Sequence, residues 1–255
     1  MGGVTTTLAL ANQKGGVAKT TSVASIGAAL AEAGDRVLLV DLDPQGSLTF
    51  SLGVDPEELE VTVADVLLGK AAAADAIVQT DDGVDLLPAN VGLAEAEENL
   101  VTRTGREQRL RVALAKVAAD YDWMILDCPP ALGVLTIGAL SAADEVLIPL
   151  QAETLSHRGV GQLLDTIHDV RQFINSDLQI RGVLATMYDG RTAHARTVLA
   201  AIGDTYDLVV LDPPIPKTIR FAEAPAIGRS ILSTARRHKG AEAYREIARQ
   251  LRESR

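Results

Sequence analysis

Residues 6–12, "TTLALAN", form an apolar, β-prone run, and residues 20–34, "TTSVASIGAALAEAG", form a helical pattern with Val23, Ile26, Ala29 and Leu30 on one face and Gly34 as a stop. Between them lies "QKGGVAK", too short and too glycine-rich for either element. Strand, glycine turn and helix in that order constrain the fold more than any other stretch. They specify the opening unit of a parallel α/β sheet, with a helix N-terminus aimed at whatever binds above the strand. The turn departs from the general phosphate-loop pattern G-x-x-x-x-G-K-[ST]. Gln13 stands at the first glycine and Ala18 at the last. The chemistry survives the departure. Gly15, Gly16 and Ala18 are small enough for close backbone approach, Lys19 supplies charge, and Thr20 and Thr21 supply hydroxyls. A methyl group at position 18 costs about 1 kcal/mol if the turn needs positive φ there, and almost nothing otherwise.

The alternation continues along the chain. "RVLLVDLD" (36–43), "GVDLLPA" (83–89), "WMILDCPP" (123–130), "EVLIPL" (145–150), "IRGVLATMY" (180–188) and "YDLVVLD" (206–212) read as strands. Residues 61–68, 75–80 and 93–119 read as helical, the last with Leu110, Leu114 and Val117 on one face. The expected fold is α/β: one domain over residues 1–255, with a mostly parallel twisted sheet flanked by helices on both faces. Hydrophobic residues make up 47% and aromatic residues only 3%, so the expected core is aliphatic. A single cysteine rules out a disulfide framework and points to a reducing cytoplasm. No apolar run reaches the roughly 18 residues of a membrane span, so a soluble protein is expected.

Two strands end alike, "YDWMILDCPP" at 121–130 and "YDLVVLDPPIP" at 206–216. Either Asp127 or Asp212 could support Mg²⁺, and Asp127 is the stronger candidate. Cys128 and Trp123 read as packing residues, and the four histidines show no zinc-ligand spacing. The net charge of −10 disfavours nucleic acid for the chain as a whole. Its distribution does not. Residues 181–255 hold 13 Lys+Arg against 8 Asp+Glu, and residues 1–180 hold 11 against 26. A basic C-terminal surface is expected, unless those arginines serve helix-surface ion pairs.

"KGGVAKTT", "VLLVDLDPQGS", "YDWMILDCPPALG", "VLIPLQAETLSHRG" and "IPKTIRFAEAP" occur in the order found in the ParA/Soj family. These are P-loop ATPases with a deviant Walker A motif. The resemblance spans roughly residues 6–252 and is to the short form without an N-terminal helix-turn-helix domain. It implies ATP and Mg²⁺ as cofactors. In such proteins the second lysine, here Lys19, binds the β- and γ-phosphates in its own subunit. The first, here Lys14, reaches the partner's nucleotide across an ATP-sandwich homodimer, with Gly15 at the seam. Gly16, Val17, Ala18, Thr20 and Thr21 complete the phosphate cradle. Thr20 and Asp127 hold Mg²⁺, with Asp41 supporting the loop or the metal shell. Asp43 orients the attacking water, and Pro214, Ile215 and Pro216 lie where relatives hold adenine.

The resemblance also implies non-specific double-stranded DNA binding by the dimer. Arg191, Lys217 and Arg220 match basic positions of that kind, and Arg196, Arg236, Arg237 and Lys239 are possible additions. A ParB-like partner stimulates hydrolysis, and the expected location is cytoplasmic and nucleoid-associated, with no membrane. Glu153 is either a lysine partner near the dimer interface or structural. Two alternatives stand beside this reading: a MinD-like membrane-cycling ATPase and a non-hydrolysing adaptor. The tail, with Tyr244, Ile247 and Leu251 as its only large apolar residues, suits a docked helix better than a membrane anchor.

Overall fold

The first strand, Thr6–Leu10 (β1), lies near the middle of an eight-stranded sheet. The other strands are Val37–Asp41 (β2), Val78–Gln79 (β3), Asp85–Leu87 (β4), Trp123–Asp127 (β5), Glu145–Gln151 (β6), Gln179–Thr186 (β7) and Val210–Leu211 (β8). Their order is β3-β4-β2-β5-β1-β6-β7-β8, and every pair is parallel except β3–β4. The computed structural model describes residues 4–151, 156–190 and 193–254.

Alternation along the central strands divides the core in two. Ala9, Leu38, Val40, Met124 and Leu126 face one side, and Leu8, Leu10, Leu39, Trp123 and Ile125 face the other. The first side is covered by Val63–Leu68 (α3), Gly92–Val101 (α5), Arg109–Leu114 (α6), Val134–Ala142 (α7), Ser156–Phe173 (α8) and Ala193–Tyr206 (α9). The second is covered by Lys19–Glu32 (α1), Ser47–Ser51 (α2), Ile231–Thr234 (α11) and Lys239–Glu253 (α12). Ala73–Ala76 (α4) and Arg220–Glu223 (α10) are single turns. Helix α1 packs so closely on β2 that a Cβ on Gly27 would come within 2.7 Å of Leu39 Cδ2. The result is the open parallel sheet read from the sequence, with the strand order reversing beside β1.

Three element readings change. Residues 75–80 are not one helix: α4 ends at Ala76, Ile77 turns extended at ψ 130°, and β3 pairs antiparallel with β4. The β-branched Ile77, Val78 and Thr80 favour that state, and the hairpin closes through Thr80 N–H to the Val84 carbonyl. Residues 93–119 break at Gly105, whose φ of 67° belongs to no right-handed helix. Leu110, Leu114 and Val117 are nevertheless buried together. The last strand shrinks to two residues, because α9 runs through Tyr206 and Asp207 turns left-handed at φ 52°.

Candidate active site

The carboxyl ends of β2, β5 and β1 bring the motif residues together. Asp41 and Asp127 are register partners on β2 and β5, and Asp127 also pairs with Leu10 on β1, from which the glycine turn departs. The turn is held from outside as well as within. Asn12 Nδ2 donates to the Pro149 carbonyl at 2.7 Å, and Asn12 Oδ1 accepts the Lys14 N–H at 2.9 Å. Thr186 Oγ1, at the end of β7, donates to the Val17 carbonyl at 3.0 Å, and the Val17 side chain is buried. Asn12 and Thr186 therefore fix the loop, although no sequence motif marked them. Asn12 was legible as a polar residue closing an apolar strand; Thr186 lies 169 residues away from its partner.

Gly16 and Ala18 both adopt positive φ, at 73° and 60°. The second is the conformation in which a methyl group is strained, so the cost of Ala18 is real. Gly15 has no such requirement inside the subunit. It is exposed, and a Cβ there would come no nearer than 4.0 Å to Pro130 Cβ.

Lys19 opens α1, and its ammonium is buried, 3.4 Å from the Lys14 carbonyl. Burial lowers its pKa, while the charges of Asp127, Cys128 and Asp43 act in the opposite direction. Lys14 is half-buried on the turn.

Asp127 is fully buried, and neither carboxylate oxygen has a hydrogen-bond partner. Burial first, then the neighbouring Asp41, holds it well above the ordinary carboxylate range; the Thr20 hydroxyl and Lys19 partly oppose this. Thr20 thus faces the carboxyl without closing a well-formed hydrogen bond. A buried carboxylate left unsatisfied costs several kcal/mol unless something binds it. The arrangement fits a divalent cation held between the Thr20 hydroxyl and Asp127, directly or through water, because hard oxygen donors suit Mg²⁺.

Asp41 is differently placed. Its Oδ2 accepts both the N–H and the hydroxyl of Thr49, at 2.9 and 2.8 Å, and its Oδ1 accepts the Asp43 N–H at 3.0 Å. These bonds tie Asp41 to α2 and to the turn that carries Asp43, not to the glycine turn. Burial pushes its pKa up to about 6 against the pull of those bonds. Asp43 is half-buried and accepts the Gln45 N–H at 3.0 Å.

The three residues expected at adenine differ in exposure. The main chain of Ile215 is engaged by the Ala185 carbonyl and the Tyr188 N–H, at 2.7 and 2.9 Å, and its side chain is buried. Its amide donor is engaged within the fold, whereas Pro214 and Pro216 remain half-exposed. Arg191 and Glu153 lie outside the described residues. Lys217 is exposed, and Arg220 is exposed but paired with Glu223 at 2.8 Å.

Six arginines of the expected basic C-terminal surface are ion-paired, Arg220 among them, while Lys217, Arg237 and Lys239 are exposed. Arg229 reaches Asp81, Arg236 and Arg245 share Glu32, Arg252 reaches Asp35, and Arg249 lies between Glu246 and Glu253. Four of these arginines meet acids from the other end of the chain, so asymmetry along the sequence is much weaker in space.

A glycine turn at the head of a central parallel strand, a lysine and a threonine opening the helix, and a buried aspartate ending the next strand define a P-loop NTPase. A family model described as "AAA domain" matches residues 5–180. The sporulation initiation inhibitor protein Soj of Bacillus subtilis is 44% identical over 96% of this chain and 97% of its own length. The chromosome partitioning protein ParA of Caulobacter vibrioides is 42% identical over 96% and 92%. A crystal structure described as cobyrinic acid a,c-diamide synthase from Mycobacterium smegmatis, with bound ADP and magnesium, is 57% identical over 97% of this chain and 94% of its own, with a TM-score of 0.88. The same protein has been solved with an ATP analogue and magnesium. The chain belongs to the ParA/Soj family of P-loop ATPases.

Proposed function

We propose that the protein is a Mg²⁺-dependent partitioning ATPase whose ATP-bound homodimer binds DNA without sequence preference and is reset by hydrolysis. The observation that carries the nucleotide part is the unsatisfied Asp127 carboxylate facing Thr20, beside the buried Lys19 ammonium. In this reading the main-chain groups of Gly15–Ala18, with Lys19 and Thr21, cradle the phosphates. Thr20 and Asp127 hold Mg²⁺, which neutralises phosphate charge. Pro214 and Pro216 bound the adenine pocket. Asp43 orients the attacking water, and Lys14 offers its charge to the partner's nucleotide. Supporting the dimer is Gly15, an exposed glycine that neither backbone conformation nor packing within one subunit explains. A lysine given in trans couples dimerisation to nucleotide state. Hydrolysis is slow by itself and stimulated by a ParB-like partner, and the protein works on the nucleoid in the cytoplasm as one ATPase domain.

The experiment is calorimetric titration with ATP·Mg²⁺ together with phosphate release and light scattering. Lys19→Ala should lose ATP binding. Asp43→Ala should bind ATP, stop hydrolysis and accumulate the dimer. Near-native affinity in the first variant, or normal hydrolysis in the second, rejects the assignment.

The description of the M. smegmatis relative suggests a second reading, ATP-dependent amide formation. When glutamine supplies the nitrogen, that chemistry runs through an activated nucleophile, commonly a cysteine thiolate. The one cysteine of this chain, Cys128, is buried, and burial raises its pKa far above the usual thiol range. A membrane-cycling mode also finds little support. Helix α12 buries Tyr244, Ile247 and Leu251 against the second core, so these residues are not offered to a membrane surface.

A further inference from the structure

We propose that Thr49 is a positioning residue for hydrolysis, acting through Asp41 on the main chain that carries Asp43. This rests on the role given to Asp43 above. Thr49 is fully buried on α2, and its hydroxyl has one proton and two partners. Because it accepts the Ala89 N–H at 3.0 Å, its own proton is directed to Asp41 Oδ2 at 2.8 Å. The Thr49 N–H adds a second bond to the same oxygen at 2.9 Å. Two donors on Oδ2 fix the plane of the carboxylate, and its other oxygen then meets the Asp43 N–H at 3.0 Å. The turn beyond closes on itself: the Asp43 carboxylate accepts Gln45 N–H and its carbonyl accepts Gly46 N–H. A Cβ on Gly46 would lie 3.0 Å from the Ala89 carbonyl, so the two loops that Thr49 joins are in close contact. The hydroxyl thus anchors the turn bearing Asp43 to both β2 and the loop after β4, while the phosphate cradle belongs to β1 and α1.

This separation predicts separable effects. Losing the hydroxyl orphans the Ala89 N–H and releases one restraint on Asp41, letting Asp43 drift. A misplacement of about 1 Å costs on the order of 100-fold in rate, so Thr49→Val should hydrolyse about 10- to 100-fold more slowly in a single turnover. Its ATP·Mg²⁺ affinity, read by calorimetry, should stay within about threefold, because the cradle is untouched. Thr49→Ser, which keeps the hydroxyl and loses the methyl, should restore most of the rate. Circular dichroism checks the fold of each variant. If Thr49→Val fails to fold, Thr49→Cys supplies the comparison, its weak donor giving an intermediate rate. Wild-type turnover in Thr49→Val or Thr49→Cys overturns the proposal, as do equal losses in the valine and serine variants or a parallel loss of ATP affinity. Wild-type protein that hydrolyses no ATP overturns the ATPase reading itself, and this proposal with it.

Discussion

Ala18 sits at φ 60° and ψ 33° directly before α1, a conformation that costs a β-carbon about 1–2 kcal/mol. Glycine would adopt it freely but loses more freedom on folding, which leaves a net gain of about 1 kcal/mol. Ala18→Gly should therefore raise the melting temperature of the nucleotide-free protein by about 2–4 °C. A thermal scan checks this, and an unchanged or lower midpoint would show that the site bears no strain. Asp127 gives a pH-dependent counterpart. An unfolded aspartate titrates near pH 4, and the folded group titrates well above that because it is buried beside Asp41. Between those values the folded state holds more protons than the unfolded, so stability falls as pH rises through the window. Asp41 adds to the fall between about pH 4 and its folded value of about 6. Asp127→Asn should be more stable than wild type at pH 8, with the advantage shrinking towards pH 4. It should also lose the stabilisation that ATP·Mg²⁺ gives the wild type. Melting curves from pH 4 to 8, with and without ATP·Mg²⁺, test both. An advantage independent of pH would sink the electrostatic account. At this scale the sequence exposed the residues that the fold gathers at the carboxyl ends of β1, β2 and β5, because their types and spacing are the motif. It did not expose the φ of Ala18 or the bond from Thr49 to Asp41, since neither backbone state nor a partner eight residues on leaves a compositional mark.

Among the elements, α12 decides how the phosphate-binding helix is supported. It lies on α1, where Tyr244 OH and Ser22 Oγ are 2.9 Å apart in the buried core and Phe221 meets the tyrosine ring edge-on. Tyr244→Phe removes one partner and leaves the Ser22 hydroxyl buried. The expected cost is about 1 kcal/mol, at the low end of such changes because a helical serine can turn to the carbonyl four residues back. Urea unfolding measures it, and a loss of ATP affinity beyond the stability change would show that α12 also tunes the loop. The tail was legible as a docked helix from its sparse apolar residues. The central strands were equally plain, being continuous aliphatic runs. The edges were not. Strand β8 and the α4–β3 corner are too short for periodicity to separate helix from strand, and their states follow from tertiary pairing with β7 and β4.

For the whole molecule, the issue is how a chain of net charge −10 would hold a polyanion in the proposed mode. The C-terminal arginines suggested a broad basic face, but most of those described are tied to carboxylates. The local pairs, Arg220 with Glu223 and Arg249 with Glu246 and Glu253, follow the helical spacing that the sequence offered as the alternative, whereas those with Glu32, Asp35 and Asp81 come from the far end of the chain and left no sequence pattern. Binding in the proposed mode must therefore draw on a small basic set that includes Lys217 and Arg220, doubled when two subunits join. Each phosphate contact multiplies affinity through counterion release, so affinity grows exponentially with the number of contacts and a monomer binds weakly. The Glu223 partner makes Arg220 testable in both directions. Exposed ion pairs are weak, so Arg220 can exchange Glu223 for phosphate, but the carboxylate stays nearby and repels DNA. Glu223→Gln should strengthen ATP-dependent binding of random-sequence duplex, and Arg220→Ala should weaken it and lower the salt slope by about 2 for a two-subunit complex. ATP-driven dimerisation should be unchanged in both. Fluorescence anisotropy across a salt series, with and without ATP, measures all of this. If Arg220→Ala keeps the wild-type slope, or Glu223→Gln binds more weakly, Arg220 does not face the phosphates. Wild-type binding that ignores ATP would instead detach DNA binding from the dimer.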